Sequence, residues 1–310
     1  MSLLTFLFPG QGSQHVGMGR DFYESSSLAR EIFASADETL GFKISRLCFE
    51  GPEETLKLTQ NTQPALLAVS YVAFKLLGIL PDLAAGHSLG EYSALVASGA
   101  LRFEDALSLV HKRGRYMQEA VPVGTGAMAA LIGTSYDEIQ RAMGQVKAGV
   151  VEIANWNSEE QVVIAGERKA VEEALSLVKT ARSVLLPVSA PFHTSLMKSA
   201  ERRLAQDLDE VEFHDLNFPI ITNVDTMLIQ GVEEARDALK RQVSRPVLWH
   251  QTMVRLCREG VTTVVEVGPG KVLTGLMRRA SRNLPQPLRL LNASDVRSVE
   301  DCRKALSGPV

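Results

Sequence analysis

Apolar residues recur in this chain at two spacings, and the switches between them predict an ordered series of strands and helices. The run Leu3-Leu4-Thr5-Phe6-Leu7-Phe8 stops at Pro9 and reads as a buried first strand. Residues 21–40 and 53–77 carry apolar positions at helical spacing, with Thr62-Gln63-Pro64-Ala65 as the entry to a long buried helix. A short apolar run after Pro81 reads as a second buried strand, and a helix opens on the Ser93-to-Val96 side. Residues 103–120 are helical by period, with Leu107, Val110, Gly114 and Met117 on one side.

The pattern changes at Val121-Pro122-Val123-Gly124-Thr125-Gly126. Strand 127–132, helix 136–146, strands 150–154 and 161–165, helix 168–178 and strand 183–188 follow in the order βαββαβ. That is the ferredoxin-like pattern, and it predicts an inserted α+β subdomain over residues 123–194. Asn155-Trp156-Asn157, between its middle strands, reads as a turn whose amides could also contact a polar ligand. The last strand leads into the loop Ser189-Ala190-Pro191-Phe192-His193-Thr194. Helix and strand then alternate again at 200–208, 220–223, 233–243, 252–259, 263–267 and 272–279, with Gly268-Pro269-Gly270 as a tight junction. Residues 1–122 and 195–310 thus form an α/β domain that the insertion interrupts.

With 310 residues, 45% hydrophobic and 22% charged, the chain can bury one large core or two unequal ones and has an ordinary soluble composition. A net charge of -3 gives no electrostatic reason to expect nucleic acid or an anionic membrane as partner. Cys48, Cys257 and Cys302 are odd in number and far apart, which indicates neither a disulfide framework nor a zinc site and fits a reducing cytoplasm. The N-terminus lacks a basic stretch, and its apolar run is too short for a signal peptide or a membrane span.

The chemistry centres on Gly86-His87-Ser88-Leu89-Gly90, a G-x-S-x-G sequence between a strand and a helix, which is the context of a nucleophile elbow. At that turn Ser88 stands at a helix N-terminus, where the Leu89 N–H and the helix dipole stabilise an oxyanion. The loop Gly10-Gln11-Gly12-Ser13-Gln14-His15 has neither the Gly-Lys-Ser/Thr of a phosphate loop nor the third glycine of the dinucleotide fingerprint. It reads as a tight turn in which Gln11 could supply a second oxyanion donor. A serine elbow needs a base. Of six histidines, His193 sits in a proline-fixed loop where the insertion rejoins the main domain, whereas His87 neighbours the nucleophile and points elsewhere. Lys112, Arg113 and Arg115 form either a solvated face or, with one arginine turned inward, a carboxylate clamp. Gln63 is a cap or a site residue. No acid stands where it would complete a triad, so a backbone carbonyl could orient the histidine.

Gly10-Gln11-Gly12-Ser13-Gln14, Gly86-His87-Ser88-Leu89-Gly90-Glu91-Tyr92-Ser93, Arg113-Gly114, Pro191-Phe192-His193 and Glu266-Val267-Gly268-Pro269-Gly270-Lys271 together resemble the malonyl-CoA:acyl carrier protein transacylases of fatty acid synthesis, in order and over nearly the whole chain. The resemblance implies a hydrolase-like α/β domain with a mainly parallel sheet plus the ferredoxin-like subdomain. It implies Ser88 as nucleophile, His193 as base, Gln11 and Leu89 as the oxyanion hole, Arg113 as the clamp for the malonyl carboxylate, and the carbonyl of Gln242 as the group orienting His193. Gln63, His87, Asn157, Gln161 and Phe192 fall at pocket positions. Malonyl-CoA and holo acyl carrier protein are the implied partners, the latter carrying the phosphopantetheine thiol. A cytoplasmic monomer without metal or cofactor is expected. Phe192 stands where many single-function relatives have serine and where malonyl-selective polyketide acyltransferase domains have phenylalanine, so a polyketide acyltransferase is an alternative. A serine thioesterase or other hydrolase would use the same Ser88 and His193, and a non-catalytic carrier-protein binding module would leave Ser88 unreactive.

Overall fold

The structure is a computed structural model that describes residues 3–179, 182–188, 190–282 and 284–307. Ser189, in the loop that carries His193, lies outside them, as do the outermost ends of the domain limits given above. The first strand, β1 (Leu3–Phe8), lies at the centre of the larger sheet, and four of its six residues are fully covered. Where one helical stretch is expected over 21–40 there are two helices, α1 (Arg20–Ser25) and α2 (Ser27–Leu40). Ser26 leaves the helix in extended geometry, and its hydroxyl accepts from the Ala29 N–H, a serine N-cap.

After α3 (Ile44–Glu50) and α4 (Glu53–Leu56) the long buried helix α5 (Thr59–Leu77) starts three residues ahead of the expected Thr62. Pro64 therefore lies inside it and has no N–H to give to the carbonyl of Gln60. His111 Nδ1 donates to that oxygen instead, at 2.9 Å. Strand β2 (Leu83–Gly86) runs into α6 (Leu89–Ala97), which begins earlier than the Ser93 side, and α7 (Phe103–Glu119) follows.

The insertion comprises β3 (Gly126–Ile132), α8 (Tyr136–Met143), β4 (Val151–Ser158), β5 (Gln161–Glu167), α9 (Arg168–Leu177) and β6 (Arg182–Leu185). Its sheet is antiparallel in the order β4-β5-β3-β6, the ferredoxin-like arrangement, with a small core beneath α8 and α9. Asn155-Trp156-Asn157 is not a turn but part of β4, and the hairpin turn falls at Glu159-Glu160. The physical reason is pairing on both sides: Asn155, Trp156 and Ser158 continue the ladder with β5, and Trp156 N–H donates to Val247 O and Val247 N–H to Ala154 O, each at 2.9 Å, which together override the low strand preference of asparagine.

The chain then forms α10 (Lys198–Glu210), β7 (Ile220–Ile221), β8 (Leu228–Ile229), α11 (Val232–Gln242), α12 (Trp249–Arg258), β9 (Val261–Val267), α13 (Val272–Ala280), β10 (Arg289–Ala293) and α14 (Val296–Ser307). The larger sheet has the order β10-β9-β1-β2-β7-β8, parallel except for β8. Both faces of β1 are buried: Phe6 and Phe8 join the largest core with α2, α5 and α7, while Leu7 joins a second core with Trp249, Met253 and Leu276. The parallel strands all end on one side, where open α/β sheets place their sites.

Candidate active site

The C-terminal end of β2 delivers Ser88 into a turn with φ 51° and ψ −105°, a region non-glycine residues rarely occupy. Its N–H donates to Asn223 Oδ1 at 2.6 Å, and Asn223 Nδ2 donates to the Gly86 carbonyl at 2.6 Å, so one side chain holds both sides of the bend. Gly90 lets the turn press onto β1, for a Cβ there would fall 2.0 Å from the Phe8 carbonyl oxygen.

Ser88 Oγ lies 2.8 Å from His193 Nε2, and His193 Nδ1 lies 2.9 Å from the Gln242 carbonyl oxygen. A carbonyl only accepts, so Nδ1 carries the proton and Nε2 presents its lone pair to the serine hydroxyl. Burial pushes the imidazole down to about 3, with the nearby Arg113 charge acting in the same direction and the Gln242 carbonyl against it. The ring is neutral at working pH, the form a general base requires.

Arg113 is turned inward from α7 and is 1% exposed, whereas Arg115 and Lys112 reach surface carboxylates. Its Nη1 donates to Gln63 Oε1 at 2.8 Å, and its Nη2 to Gln242 Oε1 at 2.9 Å and Ser88 Oγ at 3.1 Å. The guanidinium carbon lies 5.5 Å from the Tyr92 ring centroid. Among the described residues no carboxylate comes within ion-pair distance of Arg113, so a buried cation faces Ser88 Oγ with only neutral partners.

A cavity of about 270 Å³ opens onto these groups, lined by Gln11, Gln63, Ser88, Leu89, Arg113, Phe192 and His193, with Met117, Met128, Leu186 and Val188 as apolar wall. Leu89 N–H is the first of the α6 donors with no acceptor inside the helix. Gln11 reaches the same space from the loop after β1, and its Nε2 is 3.5 Å from Thr59 Oγ1. The predicted pocket residues His87, Asn157 and Gln161 fall differently. His87 lines the cavity, but its Nε2 pairs with Asn157 Oδ1 at 2.8 Å and its ring meets Trp249 edge-on. Asn157 thereby holds His87, and Asn155 takes the place at the cavity wall. Gln161 opens β5, opposite Ile132 and Ser158, and does not line the cavity. A larger cleft of about 720 Å³ beside α3 has Lys43 and Arg46 on its walls, each already paired with an acid.

Three contributors escape the sequence reading: Asn223, Glu91 and the side chain of Gln242. Glu91 is 1% exposed and accepts from Asn223 N–H at 2.9 Å and Gln242 Nε2 at 2.8 Å. The usable signal lies in α11, where Ala235, Ala238, Leu239 and Gln242 share the buried stripe and one of them is polar.

Residues 5–306 match the acyl transferase domain family. The chain is 45% identical over 308 residues to the malonyl CoA-acyl carrier protein transacylase of Bacillus subtilis strain 168, covering 97% of this chain and 96% of that protein. It is 46% identical over 287 residues to the protein of the same name from Escherichia coli K12, covering 90% and 93%. Among solved structures it resembles the malonyl CoA-acyl carrier protein transacylase from Coxiella burnetii, with a TM-score of 0.95 at 39% identity over 99% of this chain and 98% of that one. A chain from a complex between a type II PKS acyl-carrier protein and its malonyl-transacylase gives a TM-score of 0.94 at 42% identity over 98% and 100%.

Proposed function

The chain belongs to the acyl transferase family, and from that premise we propose that Ser88 carries a malonyl group from malonyl-CoA to the phosphopantetheine thiol of acyl carrier protein, in the service of fatty acid synthesis. The observation that carries the reading is the buried Arg113, held by amides and aimed at Ser88 Oγ without a carboxylate of its own. An acyl group with a free carboxylate supplies the missing charge through paired N–H donors.

The steps follow from the geometry. His193 Nε2 takes the Ser88 proton as Oγ attacks the thioester carbonyl. The oxyanion forms beside the Leu89 N–H at the head of α6 and the Gln11 loop. Its collapse breaks the carbon–sulfur bond, the imidazolium returns its proton to the departing CoA thiolate, and a malonyl-serine ester remains. The carrier protein thiol then gives its proton to His193 and attacks the ester carbonyl; the bond from the acyl carbon to Ser88 Oγ breaks, the imidazolium returns the proton to Oγ, and the malonyl thioester leaves. The imidazolium is short-lived because Arg113 disfavours a second positive charge, and the malonyl carboxylate on Arg113 softens that repulsion. Acetyl, lacking a carboxylate, leaves the buried guanidinium unpaired, at a cost of about 3 to 5 kcal/mol by analogy with broken buried pairs.

Nucleophile, base, clamp and oxyanion donors all come from one chain, which supports action as a monomer. Intact mass spectrometry after mixing with malonyl-CoA tests the reading. A malonyl adduct should form and should clear only when holo acyl carrier protein is added. An adduct that clears in buffer alone would make the protein a hydrolase, and no adduct would make it a binding module.

A further inference from the structure

Gln242 has two separable parts: its carbonyl orients His193, while its side chain, with no exposed surface, makes a different set of bonds. We propose that the Gln242 side chain is a specificity-determining positioning residue, which aims the Arg113 guanidinium at the acyl carboxylate without neutralising it. The inference rests on the malonyl reading above and adds to it how the clamp is kept charged and pointed.

A buried amide is tolerated only when its atoms are bonded, and here they are. Gln242 Oε1 accepts from Arg113 Nη2 at 2.9 Å, and Nε2 donates to the Ser88 carbonyl at 3.1 Å and to Glu91 Oε2 at 2.8 Å. The amide can sit only this way round. A guanidinium has no acceptor and a backbone carbonyl no donor, so Arg113 and the Ser88 carbonyl select opposite ends of it. Asn223 closes the frame, its N–H on Glu91 Oε2 and its Oδ1 on the Ser88 N–H. Gln63 Oε1 holds the other nitrogen of the fork. Two amide oxygens thus fix the plane of the guanidinium, while the Glu91 carboxyl is kept one side chain away, behind Gln242.

The frame predicts that moving the negative charge by one residue destroys selectivity. Gln242→Glu combined with Glu91→Gln preserves the net charge and offers the same number of donors and acceptors, but puts the carboxylate directly on Arg113. The ratio of kcat/KM for malonyl-CoA over acetyl-CoA should fall at least about tenfold, mainly through a higher KM for malonyl-CoA. Gln242→Met, which keeps the carbonyl and roughly the volume but removes the polar atoms, should lower the same ratio. Thermal melts establish that the variants are folded, and the Ser88 adduct is followed by mass in the same samples. A folded double variant whose ratio stays within about twofold of wild type, or whose two substrates decline in equal proportion, overturns the inference. If the double variant does not fold, the same two outcomes in Gln242→Met decide it. A wild-type protein that forms no malonyl adduct overturns the reading beneath it instead.

Discussion

At the scale of single residues the site is a set of groups whose protonation is fixed by burial and by one another. His193→Ala should slow formation of the malonyl adduct by about 10² to 10⁴-fold, the usual contribution of a general base, with Ser88→Ala abolishing it. Stopped-flow mixing followed by mass analysis measures both, and unchanged acylation in His193→Ala would move the base elsewhere. Glu91 gives a stability signature. Burial raises its carboxyl from 4.5 to about 7, against the pull of its Gln242, Asn223 and Arg113 neighbours. Between those values the folded protein holds a proton that the unfolded chain has released, so this group's contribution to stability is full below about pH 4.5 and is lost as pH rises through 7. The loss approaches about 3 kcal/mol at pH 8. His193 runs the other way: its folded value near 3 costs stability as pH falls below the ordinary histidine range of about 6.5. Glu91→Gln should therefore gain on wild type as pH rises from 4.5 to 7 and hold that gain above. Chemical denaturation across this range checks it, and a difference independent of pH would show that Glu91 does not titrate there.

At the scale of elements the clamp depends on how closely α7 lies against α5. Gly114 makes the crossing possible, since a Cβ there would stand 2.6 Å from Gln60 Cα and from the Thr59 carbonyl oxygen, backbone atoms with little room to move. Gly114→Ala should cost about 1 to 3 kcal/mol and lower kcat/KM for malonyl-CoA, because displacing α7 displaces the adjacent Arg113. Equilibrium unfolding and initial rates test both parts, and a variant normal in both would mean the helices separate without moving the clamp. The same elements explain what the sequence makes legible. Ser88 can be read locally, because a strand, a G-x-S-x-G turn and a helix are adjacent in the chain, and the βαββαβ order is equally local. The inward turn of Arg113 cannot, since Lys112 and Arg115 have the same chemistry and only the burial of Gly114 against α5 selects one of three. Asn223 and the Gln242 side chain are invisible for a related reason: their partners lie more than a hundred residues away. β10 and α14 escape the periodicity reading, as does the membership of Asn155 and Asn157 in β4, which pairs with β5 on one side and meets Val247 on the other.

At the scale of the whole molecule the site lies where two sheets meet. Ser88 belongs to the larger sheet, whereas His193 follows the last strand of the smaller one, so the couple exists only while the two are seated together. Phe192 stands at this junction, packed in the largest core on one side and lining the acyl cavity on the other. Phe192→Ser should raise methylmalonyl-CoA against malonyl-CoA by roughly tenfold, within the 1 to 3 kcal/mol that one methyl group can discriminate, and should also lower the melting temperature. Competition between the two esters reads the first effect. A lower melting point with an unchanged ratio would make the ring a packing residue alone. The central strand has a further consequence, for the timing of synthesis. β1 lies between β2 and β9, with Leu3 opposite Val261. A ribosome releases residues in order, so Ser88 emerges well before His193, before the Gln242 that steadies it, and before the strand that completes the sheet around β1. An unfinished chain holds Ser88 without His193, Asn223 or Gln242 beside it, so the arrangement around the serine exists only after translation has passed Gln242.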